Sequence, residues 1–221
     1  MNKFKKLYYC LMFLPLVITL ISLIFLPDLI PAHFSGDKAD RYGSKYETLL
    51  LPVLTILFGY FLLTMGKESS KKETQRNNNN EQISVITGLC TLLVFNILCL
   101  YFLYVDFHKI TNLTQVPVDL FSLLFTVLGI TFIIIGNYMP KLKLNSIIGL
   151  RTSWSMKNET TWKKSQKFGG ASFIILGILM VIGNVFFFHN MESFLITMVL
   201  LGIDLIVSVV YTYFMAKKYS N

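Results

Sequence analysis

The sequence predicts an all-α, polytopic membrane protein with six transmembrane helices and both termini cytoplasmic. Three observations carry that prediction. Six runs, near residues 7–26, 48–65, 83–105, 118–139, 171–188 and 194–215, are apolar and long, and a spanning helix needs about 20 such residues. Of the 20 Lys and Arg, all but four fall in the N-terminus, the second and fourth loops and the C-terminal tail. Those segments alternate along the chain and share one face, and a Lys/Arg excess marks cytoplasmic loops. Finally, 54% of the residues are hydrophobic and 14% charged, which leaves no stretch for a sizeable soluble domain and excludes most soluble-enzyme classes. The loop bias accounts for the net charge of +8. The charges are scattered and accompany no DNA-binding pattern, so a direct nucleic-acid partner is excluded and the lipid bilayer is the expected surrounding.

The first run follows Lys3, Lys5 and Lys6, as a signal peptide would. Its apolar stretch is too long for one, and no A-x-A-like site follows, so it reads as a retained helix. Pro27 and Pro31 stop that helix. The extracellular loop that follows concentrates His33, Asp37, Asp40, Arg41 and Lys45 around the turn chemistry of Ser35-Gly36-Asp37. Residues 67–82 (KESSKKETQRNNNNEQ) lack large apolar groups and read as a flexible cytoplasmic linker. That linker divides a two-helix front module, 1–66, from a four-helix rear module, 83–221.

Short connections between runs three and four, and between five and six, predict antiparallel neighbours. Gly129, Gly136, Gly177, Gly183 and Gly202 permit close helix approach. In the cytoplasmic loop 137–170, Pro140 ends helix four, and Trp154, Trp162 and Phe168 suit the headgroup level. Asn158 and Glu159 read as the cap and first turn of a short helix, with Gly169-Gly170 hinging it onto run five. Cys10, Cys90 and Cys99 lie inside runs with no C-x-x-C spacing and read as apolar packing.

Several polar residues are candidates for function. His33, Asp37 and Asp40 could ligate a metal, form a hydrogen-bonded turn, or recognise a peptide or headgroup. Asp106, His108 and His189 are placed to approach them. Asp204 falls near the middle of run six, where a carboxyl group is costly and a functional candidate by default. Asn96 lies at similar depth. A buried bond from protonated Asp204 to Asn96 or Ser208 competes with a proton- or ligand-responsive switch. Arg151, Lys141, Lys143 and Lys157 could clamp an acidic partner or simply contact headgroups. No cofactor is expected.

The cytoplasmic loop resembles the signature of the SdpI-type membrane proteins, a family of bacterial immunity proteins. The matching positions are Gly136, Asn137, Pro140, Lys141, Lys143 and Asn145, then Gly149, Arg151, Thr152 and Trp154, then Asn158, Glu159, Trp162, Lys164 and Gly169. The outer loop is similar to a short domain of unknown function with the core I-P-x-H-F, through Ile30, Pro31, His33, Phe34, Gly36, Asp37, Asp40, Gly43 and Lys45. Leu144 and Ser153 replace prolines frequent in the family, and Gln166 replaces its loop histidine.

The resemblance implies a non-enzymatic immunity protein of the bacterial plasma membrane that meets a secreted peptide toxin outside. It also implies capture of an ArsR-type repressor on the cytoplasmic side. The residues taken for the outer recognition loop are Pro31, His33, Gly36, Asp37, Asp40 and Lys45. A small transporter or channel is the alternative, opposed by the single deep acid and the lack of an inverted repeat. A membrane-embedded metal-dependent hydrolase is a second alternative, opposed by the lack of any H-E-x-x-H or G-x-S-x-G pattern.

Overall fold

The computed structural model describes residues 2–70 and 79–219. Its helices are α1 (Asn2–Ser22), α2 (Leu50–Ser70), α3 (Asn79–Phe107), α4 (Leu120–Tyr138), α5 (Glu159–Phe186) and α6 (Asn190–Tyr219). All six are long and apolar enough to cross a membrane, so the chain is a multi-pass α-helical membrane protein. Of the expected linker, the centre lies outside the described residues. Its two ends are helical, with residues 67–70 continuing α2 and 79–82 opening α3. Tertiary contacts hold this entry turn: Glu81 pairs with Lys5 of α1 at 2.7 Å, and buried Asn80 brackets the backbone of Lys143.

The outer loop, read from the sequence as a proline-bounded loop with a turn at Ser35-Gly36-Asp37, carries regular structure beyond that turn. It is an antiparallel hairpin of β1 (Leu29–Ser35) and β2 (Lys38–Ser44). Gly36 supplies the turn at φ +61°, a conformation open to glycine at no steric cost. The 109–117 connection docks on the hairpin edge through Ala39 N–H to the Thr111 carbonyl and Leu113 N–H to the Asp37 carbonyl, each 2.8 Å. Phe34 then packs against Tyr101, Val105 and Ile110, which fixes the hairpin on the end of α3.

Helices α1 and α2 both pack on α3: Tyr8 and Met12 of α1 cluster with Val85 and Leu92, and Ile56 and Leu63 of α2 pack against the same cluster. Pro15 lies inside α1 and cannot donate to the carbonyl four residues back. That carbonyl, on Leu11, instead accepts from Asn96 Nδ2 at 2.8 Å. The intramembrane asparagine therefore repairs the proline's defect from the neighbouring helix, as freed backbone groups in a bilayer require.

Helices α4 and α5 form the tightest seam. A Cβ on Gly136 would stand 2.6 Å from the Gly170 carbonyl, and one on Gly129 would stand 2.8 Å from the Gly177 carbonyl. The two pairs sit seven residues apart on antiparallel helices, so the backbones touch along two turns. Gly170 is thus not a hinge, and α5 runs unbroken from Glu159 because both glycines are inside its packed face. At the hairpin end, Asp119 Oδ2 accepts from Ser122 N at 2.7 Å and Asn190 N at 3.1 Å, capping α4 and α6 together.

Candidate functional site

The 142–158 segment between α4 and α5 has no regular secondary structure, yet it is held among the helix ends at the face where the termini lie. Irregular backbone is tolerated at such depth only when protein satisfies it, and here side chains do so residue by residue. Asn145 Oδ1 accepts from the amides of Ile147 and Ile148, both at 2.8 Å, while its Nδ2 donates to the Lys143 carbonyl. Gln166, fully buried on α5, accepts from Leu150 N and donates to the Leu150 carbonyl, each at 2.9 Å. Gly149 adopts φ +103°, and a Cβ there would meet Gln166 Oε1 at 2.6 Å.

Thr152 and Ser155 then cap each other. Each side-chain oxygen accepts from the other residue's amide at 2.9 Å, and Thr152 Oγ1 donates to Thr212 of α6. Asn158 caps α5 by accepting from Thr161 N, while its Nδ2 ties that start to the Tyr219 carbonyl at the end of α6.

Trp162 is 2% exposed and donates from Nε1 to the Leu142 carbonyl at 2.8 Å. It is a core anchor rather than a headgroup residue, because its indole replaces water for a carbonyl that has no helical partner. Trp154 stands edge-on to Tyr213, and Gly169 packs beside Met139 and Leu150. Pro140 sits in a 3₁₀ turn, Met139–Lys141, with its ring against Gly170. Asn137 bonds back to its own helix at Ile133, and Lys141 lies over the Tyr138 ring. Glu159 occupies the exposed first turn of α5, favourable at a helix N-terminus.

Arg151 differs from these. It is exposed, and its single hydrogen bond among the described residues, to the Ile147 carbonyl, is 3.5 Å long. It stands at one edge of a cavity of about 530 Å³ bounded largely by apolar groups such as Ile83, Phe132, Phe173 and Leu201. Asp204 reaches the same cavity, and its carboxylate accepts from Ser172 of α5. The expected partners Asn96 and Ser208 are not used. Asn96 is engaged with α1, and the nearer hydroxyl across the α5–α6 seam takes the bond.

At the hairpin face, His33 Nδ1 and Asp40 Oδ1 lie 2.6 Å apart on an exposed surface. Arg41 pairs with Glu47 at 2.9 Å, and Lys45 with Asp28 at 2.9 Å. Pro31 is buried in β1. The Asp37 backbone carbonyl bonds the neighbouring loop, and His108 stacks on Tyr104 while bonding that residue's carbonyl. Among the described residues, no three His, Cys, Asp or Glu side chains are placed to hold a metal ion, so His33, Asp37 and His108 do not assemble one. Asp106 is not in the loop but in the last turn of α3, and it is buried.

Residues whose importance the sequence did not announce are Asn80, Ser155 and Thr212, while Gln166 stood out only as a departure from the family's histidine. A polar residue recurring on one face of α6, at Ser193, Thr197, Asp204, Ser208 and Thr212, was the available signal. Four of these five reach a partner on another element.

Six membrane-crossing helices that enclose an irregular, side-chain-laced segment at one face and carry a docked hairpin at the other define a compact polytopic membrane protein. The chain belongs to the SdpI/YfhL family. The model of that family matches residues 141–212, and the domain of unknown function DUF1648 matches residues 10–56. The chain is 31% identical over 221 residues to the Immunity protein SdpI of Bacillus subtilis (strain 168), covering 98% of this chain and 96% of that protein. No solved structure matches significantly.

Proposed function

We propose that the chain is an immunity protein of the bacterial plasma membrane that protects its host against a secreted antimicrobial peptide, without catalysing a reaction. The similarity to an immunity protein over nearly the whole chain carries this reading. The Lys/Arg bias supports both termini inside and the hairpin outside. In that orientation His33 and Asp40 face the peptide. Arg151, Lys141 and Lys143 face the cytoplasm, where they engage an ArsR-type repressor. The exposure of Arg151, in a segment whose other polar groups are mostly satisfied internally, supports the docking role.

The test is survival of peptide-sensitive cells that express the chain, compared with cells expressing an unrelated six-helix protein at equal membrane abundance. Increased survival is expected. No gain in survival at matched abundance would sink the immunity reading, and peptide-independent solute flux in proteoliposomes would favour a transporter instead.

A further inference from the structure

A second cavity, of about 210 Å³, lies beneath the hairpin, between it and α1, the start of α2 and the end of α3. Two of its lining residues are buried polar groups without partners. Asp106 is 3% exposed, and its carboxyl makes no hydrogen bond or ion pair among the described residues. Thr19 is 1% exposed, and its Oγ1 has no hydrogen-bond partner among the described residues. Burying an unpaired carboxyl group is costly unless a partner or ligand compensates it. The hairpin's own cations do not serve: Arg41 at the mouth is held by both Glu47 oxygens, and Lys45 by Asp28.

The remaining lining includes Phe102 and Ile30, which exclude water from the walls. A carboxyl and a hydroxyl lining one cavity with apolar walls match a primary ammonium on a short hydrocarbon stem. The volume is below that of drug-sized sites and suits a side chain or small amine.

We propose that this cavity binds a primary ammonium group, with Asp106 as its counter-ion and Thr19 as a hydrogen-bond acceptor. Two sources carry that chemistry: a free small amine, and the lysine or terminal ammonium of a peptide. The peptide source rests on the immunity reading above; the ammonium site does not.

The experiment uses the full-length protein in detergent micelles. Labelling of Asp106 by dicyclohexylcarbodiimide is read by mass spectrometry, with n-butylammonium as the probe and n-butanol as its neutral counterpart. Labelling should be suppressed by n-butylammonium and not by n-butanol, and the suppression should weaken in Thr19→Val. Thermal stabilisation by the probe should vanish in Asp106→Asn, since only a ligand of the folded state raises stability. Unchanged labelling with n-butylammonium, or equal protection by n-butanol, would overturn the site and leave a water-filled or non-selective cavity. A short lysine peptide and its acetylated form then separate the sources. Protection by the free form alone assigns the peptide, and protection by n-butylammonium without either peptide assigns a small amine. Failure of the immunity reading is seen independently, in the survival assay.

Discussion

Gln166 grips Leu150 with both ends of its carboxamide, accepting the Leu150 amide and donating to the Leu150 carbonyl at 2.9 Å each. A side-chain amide here does what a strand neighbour does in a sheet, and it fastens the irregular segment to α5 without a second strand. Gln166→Leu removes both partners and leaves two backbone groups stranded, at about 1–3 kcal/mol for each buried unsatisfied group. The expected outcome is a clear loss of thermal stability in detergent. Gln166→His, which keeps one donor and one acceptor, should retain more stability than the Leu variant. Equal loss in both would show that side-chain bulk, not bonding, matters at this position.

Asn96 and Pro15 form a coupled pair through the Leu11 carbonyl. Asn96→Leu should destabilise by about 1 kcal/mol, the order measured for hydrogen bonds between membrane helices. Pro15→Ala restores a donor for that carbonyl within α1, so the double variant should lose less than Asn96→Leu loses alone. A double-mutant cycle on unfolding midpoints reads the coupling directly. Strict additivity would mean that Asn96 acts through another contact.

The α4–α5 seam predicts a steep size dependence. Gly136→Ala must push a methyl group onto the Gly170 carbonyl, and Gly136→Val cannot be accommodated without separating the helices. Membrane abundance should fall in the order Gly, Ala, Val. Gly202 has open space around its would-be Cβ, so Gly202→Ala is the matched control and should accumulate normally.

Orientation is testable at two exposed sites, Lys38 on the hairpin and Ser153 on the opposite face. Ser155 is fully buried and unsuited to labelling. In a variant lacking the native cysteines, an impermeant thiol reagent applied to intact cells should label Lys38→Cys and spare Ser153→Cys. The reverse pattern would invert the topology.

Arg151 separates protection from signalling. Arg151→Ala should abolish recruitment of the candidate repressor to the membrane while peptide survival persists. Arg151→Lys should rescue incompletely, because lysine lacks the planar fork of donors. Normal recruitment by the Ala variant, at equal protein level, would remove Arg151 from the docking surface.

The six spans and the capping of α5 by Asn158 were legible in the sequence, because hydrocarbon and helix ends impose local requirements that a residue string displays directly. The signature segment was legible as a pattern, but not as a set of jobs. Asn145 and Thr152 stood there only as matches to the family signature and Trp162 as a headgroup-level residue, and in the structure all three clasp the fold. The turn at Ser35-Gly36-Asp37 was legible too, whereas the hairpin around it was not, since its strands are short, polar and braced by residues 111–113 from a distant loop. Partners of the buried polar groups were decided only by tertiary structure. Asp204 takes Ser172 and not Asn96, and Gln166 takes Leu150, because helix packing brings together groups that are remote in sequence. The cost of an unpaired polar atom then selects whichever partner lies within reach.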